Sequence, residues 1–257
     1  MSRTAFKYQP KKRFDEGLSE HLKQLALSYP KEGYRLLCYR LRGQGFPCNL
    51  KKIYRIYKEH NLDLRRKKKK RLPERVCRPL RVPEQPNSVW SIDFVSHSLY
   101  SGTAFRALTV IDDFSREALD VEVSFSLPAL KVIRFLDQLI NWRGKPDAIR
   151  VDNGPEFISK AFQNWAEKRE IEILFIQPGK PTQNAFIERF NGTYRQNVLS
   201  LYEVKTLQEV RETTDEWLID YNYYRPHSAL NYSSPKAFLM KNTPLKTPYH
   251  TGTNFWG

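Results

Sequence analysis

The chain has 257 residues, 40% of them hydrophobic and 13% aromatic, which excludes wholesale disorder. No apolar run approaches the roughly 18 residues a membrane helix needs, and Cys38, Cys48 and Cys77 match neither a disulfide framework nor a zinc spacing. Its net charge of +15 is placed unevenly: residues 1–82 carry 24 Lys and Arg against 7 Asp and Glu, and residues 83–257 carry 19 against 21. A polyanion, most simply nucleic acid, is therefore the expected partner of the first third. The opening "MSRTAFKYQPKKRF" lacks the apolar stretch of a signal peptide, so a reducing, cytoplasmic setting without membrane contact is expected.

Residues 17–62 read as three short helices. "GLSEHLKQLAL" carries Leu18, Leu22 and Leu25 at helical spacing, and "YRLLCYRL" carries Tyr34, Leu37 and Leu41 in the same way. "GQGFP" is a tight break. Asn49 is the expected N-cap of "LKKIYRIYKEH". There Leu50, Ile53, Tyr54 and Tyr57 form an apolar stripe; Lys51, Arg55 and Lys58 line another face, and Lys52 adds to its positive charge. Helix, glycine turn and basic amphipathic helix read as a helix-turn-helix, with these four cations as candidate DNA contacts. A small bundle with a solvated face is the plainer alternative, against which the charge bias speaks. Arg65, Arg66, Lys67 and Lys68 lead a run of seven basic residues ending at Arg71, inside a proline-containing segment. Like charges repel, so residues 65–87 read as an extended linker able to hold phosphates without sequence preference.

From Ser88 the pattern changes. "SVWSIDFV", "TAFRALTVID" and "ALDVEVSFS" are three strand-like runs with short turns between them. A helix over "LPALKVIRFLDQLINWRG" with Ile133, Leu136 and Ile140 on one side, a fourth strand "AIRVD", a helix "SKAFQNWAEKRE" and a fifth strand "IEILFIQ" follow. After the loop "PGKPTQ" come the helices "NAFIERFNGTYRQNVL" and "TLQEVRETTDEWLIDYNYY", the latter opened by a Thr206–Glu209 capping box. Three strands and then alternating helix and strand predict a mixed five-stranded sheet flanked by helices, an α/β (α+β) domain over 88–242 preceded by a small all-α domain over 1–64 and followed by a tail, 243–257.

Three acids stand out as a set. Asp93 interrupts an otherwise apolar strand, where a charge is costly unless paired or metal-bound. Asp152 ends the fourth strand. Glu188 lies on a helix face with Asn184, Asn191, Gly192 and Arg195, opposite the stripe of Phe186, Ile187, Phe190, Tyr194 and Val198. Taken singly, Glu188 is an ordinary exposed glutamate and Asp152 a turn residue. Together they suit hard divalent cations, which bind through few carboxylates and leave room for water and phosphate. Two such ions activate a water or a 3′-hydroxyl and stabilise the leaving oxygen with no covalent protein nucleophile. Weaker candidates are Asp112 and Asp113 (strand-end capping), Glu156 (a neighbour of Asp152, or more simply a solvated turn acid), His227 (packing), Tyr194 (core) and Lys180, a phosphate contact on the loop.

Thirty-five residues separate Asp152 from Glu188. With "WSIDF", "FRALTVIDDFSRE", "VDNGPEF", "PTQNAFIERFNGTYR" and "YNYYRPHSALNYSSPKAF", this spacing resembles the OrfB-type transposases of the IS-three family of insertion sequences, whose catalytic core is retroviral-integrase-like. The resemblance spans essentially the whole chain. It implies an RNase H-like fold, a helix-turn-helix before it, two Mg²⁺ or Mn²⁺ ions held by Asp93, Asp152 and Glu188, and cleavage and strand transfer at element ends. It also implies a DNA contact at Arg195, self-association on DNA, and an upstream-frame fusion partner. One departure is "DFVSH", where His97 stands in place of an acid. Rival readings are a transcription regulator with an inert second domain, a simple nuclease of the same fold, and a retroviral-type integrase. The last lacks its His/Cys zinc module here, because His21, His60, Cys38 and Cys48 do not have that spacing.

Replacing residues 65–71 by neutral side chains is expected to weaken binding to DNA of any sequence and to flatten the salt dependence of that binding. An unchanged slope in a salt titration would mean that the run touches no phosphates.

Overall fold

A computed structural model describes residues 15–64, 83–177, 181–201 and 203–242. It divides into two compact units, 1–70 and 71–257. Residues 65–82, Lys180 and the tail 243–257 lie outside the described residues, and with them the readings made for Arg65, Arg66, Lys67, Lys68 and Lys180.

In the first unit, helices α1 (Glu16–Ser28), α2 (Tyr34–Gly43) and α3 (Leu50–Glu59) close round Leu22, Leu25, Leu37, Cys38, Leu41, Ile53, Ile56 and Tyr57. The break between α2 and α3 needs Gly45, whose φ of +88° is unfavourable for any side chain. Asn49 caps α3 as expected, its side chain accepting from Lys51 N at 3.1 Å. The expected stripe of α3 needs one correction. Ile56 is buried, whereas Tyr54 is 45% exposed and rests against the Tyr34 ring. At 100° per residue Ile53, Ile56 and Tyr57 centre on Ile53, and Tyr54 falls to the margin of that arc. Arg40 and Glu32 form a buried pair with two hydrogen bonds of 2.8 and 2.9 Å, and the Arg40 guanidinium also covers the Tyr29 ring at 3.6 Å.

The second unit is built on strands β1 (Val89–Ser98), β2 (Ala104–Asp112), β3 (Ala118–Ser124), β4 (Ala148–Val151) and β5 (Glu172–Phe175), in the order β3-β2-β1-β4-β5. The first three form an antiparallel meander, and β4 and β5 run parallel to β1. This is the predicted mixed sheet. Strand alternation sorts its side chains to two faces. Trp90, Ile92, Leu108, Val110, Ile149 and Val151 pack under α4 (Ala129–Arg143) and α5 (Lys160–Lys168). Val95, Ala107, Ile111, Val121 and Val123 pack under α6 (Ala185–Tyr194) and α7 (Leu207–Ile219). With both faces covered, β1 at the centre is the most buried strand, and a polar side chain on it needs a partner.

Two helices depart from the expected straight runs. A 3₁₀ turn, Pro181–Asn184, leads into α6, and π turns follow α6 (Arg195–Leu199) and α7 (Asp220–Tyr224). Thr206 caps α7 by accepting from Glu209 N, while the Glu209 carboxylate accepts from Lys205 N, one residue earlier than the capping box predicts. A short helix α8 (Pro235–Asn242) ends the described chain.

Glu32→Ala leaves the Arg40 charge buried without its carboxylate. It is expected to destabilise the first unit by about 3–5 kcal/mol, read as faster amide exchange across residues 16–59 and unchanged exchange in the sheet.

Candidate active site

Asp93 lies in the middle of β1, paired across to Thr109 of β2. By alternation its side chain is on the α6 face, with Ile92 and Phe94 turned the other way. The parallel register Ser91↔Arg150 brings the residue just past β4, Asp152, level with Asp93 one strand away and on the same face. Glu188 comes down from the first turn of α6, which is seated by Ile187, Phe190 and Tyr194, all buried. The three acids, far apart along the chain, thus converge on one edge of the sheet.

Their electrostatics reflect this. The Asp93 carboxyl is pushed up to about 6, mainly by burial. The carboxylates of Asp152 and Glu188 push in the same direction, while hydrogen bonds from Phe94 N and Asn191 oppose it. No lysine or arginine stands among the main influences on it. Asp93 Oδ1 accepts from Phe94 N and Oδ2 from Asn191 Nδ2, both at 2.8 Å. Asn191 is itself held, because its Oδ1 accepts from Thr109 Oγ1 at 2.8 Å. Sequence reasoning placed Asn191 only on the polar face of its helix. Its position one turn beyond Glu188 was the available signal, but that face borders the sheet and Asn191 is buried.

Asp152 is exposed at the start of a tight turn, its Oδ1 accepting from Gly154 N at 3.0 Å. A Cβ at position 154 would meet that oxygen at 2.9 Å, so the turn beside Asp152 needs glycine. Glu156 corrects an expectation. It is not a solvated turn acid but a largely buried one paired with Arg106 of β2, its side chain 12% exposed.

Among the described residues no three of the His, Cys, Asp and Glu side chains stand close enough to enclose a single ion. The donor set still fits a hard divalent cation. Three carboxylates gather at an open edge, one of them raised by the others' charge, and a cation would remove that repulsion.

The remaining site residues fall as follows. Arg195 is exposed at the end of α6 and donates to Ser96 O of β1 at 3.1 Å. Asn184 precedes α6, is buried, and its Oδ1 accepts no hydrogen bond among the described residues. In the first unit Lys52 and Arg55 pair with Asp15, Arg55 also with Glu59, and Lys58 with Asp63 at 2.8 Å. Lys51 is exposed. Tyr194 is core, buried, with its hydroxyl on Thr214 Oγ1 at 2.8 Å and its phenol pushed up to about 12 by burial. Asp112 caps its turn through Ser115, and Asp113 pairs with Ser91 and Arg150. His227 packs edge-on against Tyr221.

Comparison with known proteins agrees with this arrangement. An integrase core domain family matches residues 83–181, a second of the same description matches 169–235, and an HTH-like domain matches 13–70. The insertion element IS407 31.7 kDa protein of Burkholderia multivorans is 42% identical over 243 residues, 94% of this chain and 88% of that one. The insertion element IS476 39.2 kDa protein of Xanthomonas euvesicatoria is 40% identical over 239 residues, 93% and 69% of the two chains. A chain in the simian T-cell lymphotropic virus intasome structure, solved with PP2A regulatory subunit B56 gamma, superposes with a TM-score of 0.56 at 19% identity, covering 88% of this chain and 76% of that one. At that identity the likeness speaks for the fold alone, an RNase H-like core. Carried by the insertion-element relatives across nearly its full length, the chain belongs to the OrfB-type transposases of the IS-three family of insertion sequences.

Proposed function

We propose that this transposase cuts and joins DNA at insertion-sequence ends by metal-dependent attack of a 3′-hydroxyl on a phosphodiester. The observation that carries the reading is Asp93, a carboxylate set in the central strand and raised to about 6 beside two further acids. Asp93, Asp152 and Glu188 would hold two Mg²⁺ or Mn²⁺ ions. When bound, these supply Lewis-acid charge at the phosphodiester and lower the pKa of an attacking hydroxyl or water. Asn191 and Thr109 keep the Asp93 oxygens in one orientation, so the site has little reorganisation left when substrate arrives.

DNA is the partner proposed for both units. Arg195 and Asn184 flank Glu188 on the same helix, where they would meet the strand being cut. Lys51, Lys52, Arg55 and Lys58, with the basic run 65–71 and Lys180, would bind phosphates. The cations of α3 must first leave their acids. For Lys58 and Asp63, each about half exposed, that costs no more than about 1 kcal/mol. Arg55, holding two carboxylates, costs more and is the weaker candidate. The division of labour proposed is a DNA-reading helical domain over 1–64, a linker over 65–87, the catalytic core over 88–242 and a tail over 243–257. Joining two element ends calls for at least two copies on DNA, and an upstream-frame fusion would add a further DNA-binding part.

Asp152→Asn is expected to lower cleavage and strand transfer on element-end DNA by about a hundredfold or more, with DNA affinity unchanged in a gel-shift titration. Retained joining by that variant would refute the assignment, and cleavage without joining by the unaltered protein would favour the simple nuclease.

The raised Asp93 carboxyl also makes stability depend on pH. An unfolded aspartate titrates near 4 and Asp93 in the fold near 6. Between these values the folded chain holds the extra proton. Raising the pH through this window therefore costs the metal-free protein stability, up to about 3 kcal/mol. Asp93→Asn should flatten that limb in denaturation midpoints measured from pH 4 to 7, and Mg²⁺ should restore stability to the unaltered protein above pH 6. Superimposable pH profiles for the two proteins would count against the raised carboxyl.

A further inference from the structure

The loop that carries Asp152 is held from the reverse face of the sheet. Asp152 itself is exposed, and its only printed hydrogen bond comes from Gly154 N, two residues on. What fixes the loop as a whole lies at its next residues. Phe157 is fully buried, stacked on Phe94 at 5.2 Å and edge-on to Phe162 at 5.4 Å. Glu156 pairs with Arg106, and Ser159 Oγ donates to Glu156 O at 2.8 Å.

Arg106 is on β2, opposite Ser96 of β1. Its guanidinium lies over the Phe94 ring, 3.9 Å from the centroid, and reaches Glu156 in the loop after β4. One side chain therefore crosses the central strand and touches both segments that bear the aspartates, β1 next to Asp93 and the turn next to Asp152. Alternation settles which side it does this from. Arg106, Ser96 and Phe94 share the α4/α5 face, and Asp93 is on the α6 face. Arg106 is thus a cation near the acids that does not stand among them.

We infer that Arg106, acting through Glu156, is a positioning residue for Asp152: its ion pair and its cover over Phe94 hold the 153–158 turn at a set distance from β1. The inference rests on the proposed role of Asp152 as a metal ligand, but the anchoring of the loop can be tested without it. A pair with Arg106 one-third exposed would mean little on stability grounds alone. Here it decides geometry, because the turn has no other ion pair among the described residues, and a carboxylate ligand displaced by a fraction of an ångström binds its ion less well.

The test uses the full chain with Arg106→Ala, with the near-isosteric Glu156→Gln in case the first fails to fold, and with the reversed pair Arg106→Glu/Glu156→Arg. In metal-free protein, amide exchange across residues 153–158 should accelerate about tenfold in the single variants, stay unchanged across 16–59, and slow again in the reversed pair. The Mg²⁺ concentration for half-maximal strand transfer should rise about tenfold in the single variants, with DNA affinity and its salt slope unaltered. Unchanged exchange in the turn would overturn the anchoring. A fall in DNA affinity and salt slope at an unchanged Mg²⁺ requirement would overturn the positioning role and make Arg106 a phosphate contact. Full joining activity in Asp152→Asn would instead remove the reading of the site, leaving the exchange result to stand for the loop alone.

Discussion

A strand buried on both faces leaves no water for a charge, and β1 carries one in its middle. This constraint orders the second unit. Asp93 cannot share the apolar face of Ile92 and Phe94, so it sits under α6, where Asn191 and a backbone amide take its oxygens. Each helper is fixed in turn: Asn191 by Thr109, and α6 by Ile187, Phe190 and Tyr194 in the second core. A core that places Glu188 and Asn191 one turn apart brings both a partner and a repelling charge to the same aspartate. Burial and repulsion leave Asp93 strained when ionised, and a divalent cation at the open edge would relieve that strain.

The sheet faces separate two tasks. On the α6 face stand the acids and the polar groups that touch them. On the α4/α5 face, Phe94, Phe157, Phe162 and the Arg106 guanidinium form a packed layer beneath. The reacting groups can thus remain open to a long polymer while the backbone that aims them is held by aromatic contacts away from solvent. Further toward the start of β1, Arg150 and Asp113 tie the β4 end to the β2 end on the acids' own face, with Ser91 between them. β1 is therefore braced on either side of Asp93.

Much of this was legible from local chemistry. Leucine spacing marked α1 and α2, Asn49 and Thr206 marked helix starts, and an aspartate inside an apolar strand marked itself. The strand and helix order pointed to the mixed sheet because three close strand-like runs must pair with each other before any crossover is possible. What escaped depended on contacts distant in sequence or on a helix's rotation. Tyr54 and Ile56 both sit near the apolar arc of α3, and only docking on α1 and α2 decides between them. Glu156 meets a guanidinium fifty residues away, and no window of the sequence contains both. Asn191 shared the polar face of Glu188, but polarity could not say that one edge of that face would be lined by β-sheet instead of solvent.

The π turn after α6 adds a consequence for how this protein can change in length. Between Arg195 and Leu199 the chain spends one more residue on the turn than an α-helix would. Losing a single residue there would be locally comfortable, since the helix would tighten to its commoner form. Everything beyond would then rotate by about 100°, carrying Val198 and Leu199 out of the second core. Substitution is open to this segment, whereas deletion is closed to it, and the surplus residue is retained as spacing.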